Sequence, residues 1–454
     1  MVNWEFFEQK FWALYSEAGR PGPPIRLLVG LTYLQHAFDL SDEQVAAQWV
    51  ENPYGQYFCG ETFFQHELPI DPSSLPRWRK RKTCMYYCKR CVIPSTRPGI
   101  QFDDEGICSP CRVAEKHQKV DWDRRRVELE KVAQWGRDNS TGDYDCIIGI
   151  SGGKDSLRQA LIAKNELGLR TLLVCCSYPP EQQSEIGAAN QANIISLGFD
   201  TIIVGPAPEK WKELMKRAFY KYGNWCKPTE MALYAIPPRV ATSMGIPLIF
   251  LGENNALVSG DLGGSMTGDA NLIKYNNTLS GGDPSEYVYG DITEKDVYWH
   301  RFPTDEEMRR ANIRIVYLGF YIEDFNQFAN YEIAMKNGLS IRDVPREDIG
   351  ALHRFEDLDE DFVHVNQLLK YYKLGFARTT DDCSHMIRQG MLTREEAIEL
   401  VQRYEGKCAL RYIEAFCRYL DISEGEFWRV AESFRNKEIW EQDSSGAWRL
   451  KNPL

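Results

Sequence analysis

The stretch that most constrains this chain is Asp143 to Ser156. There an apolar run, Cys146 to Ile150, leads directly into Ser151-Gly152-Gly153-Lys154-Asp155-Ser156. Leu157 to Leu167 follows with the apolar spacing of a helix. Strand, glycine turn and helix in immediate succession aim free backbone N–H groups and a helix N-terminus at one point, which is the geometry of a phosphate site. Two adjacent glycines let the backbone approach an anion with no Cβ in the way. Lys154 adds a positive charge, and Ser151 and Ser156 add hydroxyl donors. The spacing is not that of a Walker A loop, because Asp155 rather than Ser or Thr follows the lysine. A mere Gly-Gly turn between strand and helix would leave the rest of the hexapeptide without a purpose.

Around this turn, strand-like runs at 146–150, 171–177, 201–204 and 247–251 alternate with helical patterns at 157–167, 183–197, 209–222 and 229–244. Gly168 and Gly198 stand where helix C-caps belong. Such alternation implies an α/β fold with a doubly wound parallel sheet covered on both faces. Ligands in such folds bind at the carboxyl ends of the strands. The Ser151–Ser156 turn, Cys175–Tyr178 and Gly252-Glu253-Asn254 are therefore expected to line one pocket. Glu253 and Asn254 either cap a turn or touch ribose, Mg²⁺ or substrate. Asp155 either holds Mg²⁺ through water or caps the helix.

Residues 256–300 are rich in Gly, Asp, Asn and Ser, including Gly260-Asp261-Leu262-Gly263-Gly264, and are expected to form a loop that covers the substrate. From Asp305 onward the pattern is mostly helical. Thr393-Arg394-Glu395-Glu396 has the form of a capping box, and Gly406 ends the helix it starts. Arg378, Asp381, Asp382, His385 and Arg388 are candidates to bind an anionic substrate, with helix capping and a solvated ion-pair face equally open.

Cys88-x-x-Cys91 and Cys108-x-x-Cys111 have the spacing of a tetrahedral metal site of the ribbon type. Zn²⁺ in a structural role is the first choice, and an iron–sulfur cluster the alternative. Turn formers between the pairs suit a short metal-stapled module with almost no core of its own. Cys175 and Cys176, inside a strand-like run, read as small core residues; Cys84 reads as a spare thiol. No apolar run is long enough to span a membrane, no signal-peptide core is present, and the expected location is cytoplasmic. A net charge of −11 argues against a large nucleic-acid surface. The basic run from Arg77 to Lys82 is suited to phosphate contact or to simple solvation.

The hexapeptide Ser151–Ser156 resembles the pyrophosphate loop of the PP-loop ATPases, which share the Rossmann-like fold of the adenine nucleotide alpha hydrolases. These enzymes cleave ATP between the α and β phosphates, adenylate a carbonyl or amide oxygen, and let a nucleophile displace AMP. The cysteine pairs, the loop, Gly252-Glu253-Asn254, Tyr317-Leu318-Gly319-Phe320-Tyr321 and Gly375-Phe376-Ala377-Arg378-Thr379-Thr380-Asp381-Asp382 occur in one order. From about Met85 to the C-terminus this resembles the N-acetyl sugar amidotransferases of surface-polysaccharide biosynthesis. The resemblance implies an ATP-dependent, AMP-forming enzyme that turns an acetamido group of a sugar into an acetamidino group. The implied substrates are nucleotide-linked diacetamido uronic acids or nonulosonic acids, in lipopolysaccharide, O-antigen or nonulosonic acid biosynthesis. The implied partners are a glutaminase subunit that supplies ammonia and a cyclase-like subunit. The chain agrees with that need: it begins Met-Val and has no Gly-x-Cys-x-Gly elbow. On this resemblance Lys154 and Asp155 are catalytic, Ser151–Ser156 with Gly252, Glu253 and Asn254 bind ATP, and Mg²⁺ accompanies the nucleotide.

Residues 1–82 fall outside that pattern. Trp4-Glu5-Phe6-Phe7-Glu8, Gly22 to Leu31, Leu40 to Val45 and Asp71 to Arg81 resemble the N-terminal helical domain of insertion-sequence transposases. The expected layout is a transposase-like head at 1–82, a metal module at 85–120, an ATP-binding domain at 121–300 and a helical region at 301–454, with a seam near Lys82–Cys84. Alternative readings are a PP-loop tRNA thiolase, for which Cys226 and Cys383 are the candidate thiols, and a transposase-derived DNA-binding fusion without activity.

Overall fold

The computed structural model describes residues 4–12, 23–38, 40–75, 85–258, 260, 267–276, 278–343 and 346–454. The run Arg77 to Lys82, Cys84 and Asp261 to Gly264 lie outside the described residues. By density of contacts the chain divides into two compact units, Met1–Met85 with Lys437–Asn452, and Tyr86–Asn436 with Pro453–Leu454.

The first unit has helices at Trp4–Trp12, Ile25–Phe38, Asp42–Glu51 and Pro53–Phe58, and an antiparallel pair of strands, Trp440–Gln442 with Trp448–Leu450. The helix at Asp42 starts because Ser41 and Gln44 form a reciprocal capping box: the Gln44 N–H donates to the Ser41 hydroxyl (3.2 Å) and the Ser41 N–H to the Gln44 side chain (2.8 Å). Leu28, Leu31, Val45, Trp49 and Leu75 form its small core.

The second unit is built on a sheet of five parallel strands, β1 (Cys146–Ile150), β2 (Thr171–Cys176), β3 (Asp200–Val204), β4 (Leu248–Leu251) and β5 (Arg314–Tyr317), in the order β3-β2-β1-β4-β5. Side chains alternate across each strand, and both faces are covered. Ile147, Leu172, Val174, Ile249 and Ile315 enter one apolar cluster; Cys146, Ile148, Leu173, Phe250 and Val316 enter the other. Four strands fall where the sequence puts them, within one residue at each end. β5 is a strand that the sequence patterns do not mark, in a stretch beyond Asp305 whose described residues are mostly helical. Strand order reverses between β1 and β4, the switch point at which such sheets leave a crevice at their carboxyl ends.

The described part of the expected covering loop at 256–300 is, from residue 267 onward, packed into the fold. Ala270, Ile273, Leu279, Tyr287, Ile292 and Val297 are buried in the cluster on one sheet face, and the backbone of Asp269 bridges to Val316. A segment with that much buried apolar surface is a wall of the fold. The helix at Arg394–Tyr404 begins with the expected capping box, Thr393 N–H to the Glu396 carboxylate at 2.8 Å and Glu396 N–H to the Thr393 hydroxyl at 3.2 Å. No helix among the described residues is long and apolar enough to cross a membrane.

Candidate functional site

The turn after β1 is shaped by Gly152, whose φ of +92° suits glycine. A Cβ there would lie 3.0 Å from the Gly187 carbonyl oxygen and 3.2 Å from the Gln191 nitrogen. The helix Lys154–Leu161 starts at Gly153 with no side-chain cap, so its first N–H groups keep their donor capacity. The Ser156 hydroxyl donates to the Gly153 carbonyl at 3.0 Å and tightens the turn.

This turn opens on a cavity of about 320 Å³ at the switch point. Ser151, Gly153, Asp155 and Ser156 line one end, with Gly252 and Glu253 from the end of β4. Cys176, Leu233, Tyr234, Pro237, Pro238 and Tyr317 line the other. Pro237 and Pro238 lie inside the helix Cys226–Met244. Each lacks an N–H and cannot close the i→i−4 bond of a helix. The pocket thus has a polar, N–H-rich end and an apolar end.

Lys154 lines a second space, a polar chamber of about 200 Å³. Its ammonium lies 2.9 Å from Asp155 and 3.9 Å from Glu356. Burial alone would lower the Lys154 pKa, but the carboxylates of Asp155, Glu356 and Glu253 outweigh it and hold the ammonium above its usual range. Asp155 also accepts a hydrogen bond from the Asn330 amide at 2.8 Å. The chamber brings the loop face to face with the C-terminal cluster Arg378, Asp381, Asp382 and His385. Most of that cluster is paired internally. Arg378 bonds Glu356 (3.2 Å) and Asp357, and Asp381 bonds Arg97 and Lys370 (2.7 Å).

Neighbouring carboxyls there differ sharply. Burial would raise Asp381, but Arg97 and Lys370 hold it well below the usual carboxylate range. Burial, with Glu356 beside it, pushes Asp382 well above that range, and its Oδ2 has no hydrogen-bond partner among the described residues. His385 is pushed down to about 3 by burial and by Arg388, so it is neutral at pH 7.

A third space of about 340 Å³ lies against Phe320, Phe325, Phe328, Leu257, Val258 and Val113, with His385 and Arg388. Asn254 lines it rather than the first cavity, and its amide donates to the Thr267 carbonyl at 2.9 Å. Glu253 lines all three spaces. Burial first, then the Asp155 carboxylate, push its carboxyl up to about 7.

Cys88, Cys91, Cys108 and Cys111 are all buried, and their sulfurs lie within 4.8 Å of one another. The N–H groups of Arg90, Cys91 and Cys108 donate to the Cys88 sulfur at 3.3–3.5 Å. Hydrogen bonds from the thiols of Cys108, Cys111 and Cys91 hold Cys88 well below its ordinary pKa. Four converging sulfurs with N–H support fit a tetrahedral zinc site. The module is less independent than its spacing suggests. Its sulfurs pack with Phe376, the Thr96 hydroxyl donates to the Leu374 carbonyl at 2.5 Å, and Ile93, Arg97 and Pro110 line the polar chamber.

Sequence reasoning did not find Glu356, Asn330 or Arg97. Glu356 stands in an irregular stretch, Asn330 is one polar residue of an ordinary helix, and Arg97 reads as a turn residue between cysteine pairs. Only their partners, far away in the chain, give them a role.

The fold and these cavities define an α/β protein with a glycine turn at the switch point of a parallel sheet and a four-cysteine module beside it. Residues 349–454 match the family model of the LPS biosynthesis protein WbpG-like C-terminal domain. Residues 1–81 match a transposase domain (DUF772). The head is 54% identical over 81 residues to an uncharacterized protein, ORF8 in the nfe locus of Rhizobium meliloti. That stretch is 18% of this chain and 39% of the relative, so the chain spans well under half of that protein. The two family matches do not overlap, and they bear out a chain that joins a transposase-like head to a region similar to LPS biosynthesis proteins. Glu356, Arg378, Asp381, Asp382, His385 and Arg388 fall within the second match; the Ser151–Ser156 turn lies between the two.

Proposed function

We propose that the chain is an ATP-dependent, AMP-forming amidotransferase of the PP-loop type that converts a sugar acetamido group to an acetamidino group in surface-polysaccharide biosynthesis. The observation that carries this reading is the uncapped helix start behind Gly152, opening on a cavity that is also lined by Leu233, Tyr234, Pro237 and Pro238. The triphosphate lies over Ser151–Ser156, and the base lies against Leu233, Tyr234 and Pro237. The similarity of residues 349–454 to LPS biosynthesis proteins supports the sugar as acceptor.

The acetamido oxygen attacks the α-phosphorus, giving an O-adenylated imidate and pyrophosphate. Backbone N–H groups and Lys154 stabilise the charge that builds on pyrophosphate; Lys154 does so by exchanging its carboxylate partners for phosphate oxygens. Ammonia then adds to the imidate carbon. Glu253 takes a proton from the added nitrogen, and AMP leaves with the former acetamido oxygen. A carboxyl with a pKa near 7 is suited to that transfer. Mg²⁺, where it accompanies the nucleotide, would compete with Asn330 and Lys154 for Asp155. Zinc at the four cysteines supplies structure and no step. Ammonia comes from a separate glutaminase, with a cyclase-like subunit as a further partner.

A tRNA thiolase needs a reactive thiol. Cys383 is pushed up to about 12 by burial, burial also pushes Cys226 well above the usual thiol range, and neither lines the three cavities.

The test incubates the full chain with ATP, ammonium chloride and candidate acetamido sugars, and follows AMP and pyrophosphate. Sugar-dependent release of both is expected, and it should vanish in Lys154→Ala and Asp155→Ala. Release at the wild-type rate in those variants would overturn the assignment of the loop.

A further inference from the structure

Four lysine or arginine side chains among the described residues line the polar chamber, and three of them have a carboxylate partner. Lys154 pairs with Asp155, Arg97 with Asp381, and Arg378 with Glu356 and Asp357. Arg388 differs. Its one hydrogen bond runs to the Val258 carbonyl at 3.2 Å, and no carboxylate among the described residues lies within ion-pair distance. It lines both the polar chamber and the third cavity. His385, one helical turn earlier, lines the same two spaces and is neutral at pH 7, so among the described lining residues Arg388 is the cation of the third cavity, where Glu253 and Glu323 are the carboxylates.

The third cavity has the dimensions and walls of a sugar-sized site. Phe320, Phe325 and Phe328 offer flat apolar surface, while Asn254, Gln327 and Gln389 offer amides. At about 340 Å³ it falls within the usual range for small-ligand pockets. It meets the first cavity at Glu253. A ligand with its reacting group beside Glu253 would carry its other substituents toward Arg388.

We infer that Arg388 is the receptor for an anionic group, a carboxylate or a phosphate, on the acceptor that occupies the third cavity. The planar guanidinium presents paired donors that match either anion. This deepens the proposed function and rests on its reading of the first cavity as the nucleotide site. Arg388 is a specificity-determining residue here, since it touches the part of the acceptor that does not react.

The test is calorimetric titration of the full chain, bound to ATP, with three probes: N-acetylglucosamine (neutral), N-acetylglucosamine 1-phosphate and N-acetylneuraminic acid (a carboxylate). Wild type is expected to bind at least one anionic probe about 10- to 100-fold more tightly than the neutral sugar, as for loss or gain of a charge-assisted hydrogen bond. The tighter of the two anionic probes tells carboxylate from phosphate. Arg388→Met should erase that preference with ATP affinity and melting temperature unchanged, and Arg388→Lys should restore part of it. A wild type that binds no anionic probe, or binds all three alike, overturns the inference, as does a preference that survives in Arg388→Met. If the wild type binds no ATP, the reading of the first cavity fails, a result separate from these.

Discussion

The α/β body and the N-terminal head dispose of their apolar side chains in opposite ways. In the body, both faces of the sheet are sealed by large clusters, and segments without regular structure, such as 267–302, are drawn into the core. In the head, a small core forms around Leu28, Leu31, Val45 and Trp49, while Phe38, Tyr54, Tyr57 and Phe63 stay exposed. Exposed aromatics on that scale mark a surface that something else covers. Chemistry should therefore belong to the body alone, and the head should be a passenger.

The largest effect that would sharpen this contrast is expected at Gly152. Gly152→Val must hold a β-branched residue at φ +92° against the Gly187 carbonyl, a strain of about 1–3 kcal/mol before any clash. AMP formation should fall more than about 1000-fold, because the N–H groups no longer converge. Next comes the metal module. Folding free energy on the order of 10 kcal/mol is tied to a structural zinc site of this kind. Cys108→Ser should lose bound zinc by elemental analysis, lower the melting temperature, and weaken activity through the displaced Arg97 and Pro110.

Glu253→Gln should slow amidine formation by about 10²–10⁴-fold, with a much smaller fall in pyrophosphate release. The pH profile gives the sign. Glu253 works deprotonated, so at fixed free ammonia the wild-type rate should rise through pH about 7 and level off above it; the variant's should be flat across that window. Stability runs the other way. The folded carboxyl holds its proton to about 7, against an ordinary value of 4.5, so its contribution is full below 4.5 and is lost as pH rises through 7.

The smallest effects belong to the head. Trp49→Ala should cost the head about 3–5 kcal/mol, seen as faster proteolysis within residues 23–75, with turnover unchanged. Removing residues 1–82 should leave turnover within about twofold. A large loss of activity in either case would break the contrast and give the head a part in the reaction.

What the sequence disclosed, it disclosed through short-range chemistry. Four strands were legible because β-branched and apolar residues run together between turn formers. The loop and the cysteine pairs were legible because their ligands lie within a few residues of one another. β5 was not, because Arg314-Ile315-Val316-Tyr317 follows a helical pattern with only two aliphatic residues in its run and pairs with β4 from far along the chain. The stretch 256–300 reads as a covering loop because the buried residues of its described part have no regular spacing. The polar chamber was half legible: Arg378, Asp381, Asp382 and His385 stood out as a cluster, while the contacts that join them to the loop, Lys154 to Glu356 and Asp155 to Asn330, span long stretches of chain that no local pattern records.

The most direct measurement of the central claim is an isotope experiment. An acceptor sugar labelled with ¹⁸O in its acetamido group is turned over with ATP and ammonium, and the nucleotide product is analysed by mass spectrometry. Attack of the acetamido oxygen on the α-phosphorus predicts one ¹⁸O in each AMP formed. Unlabelled AMP, or ADP as the product, would contradict the account.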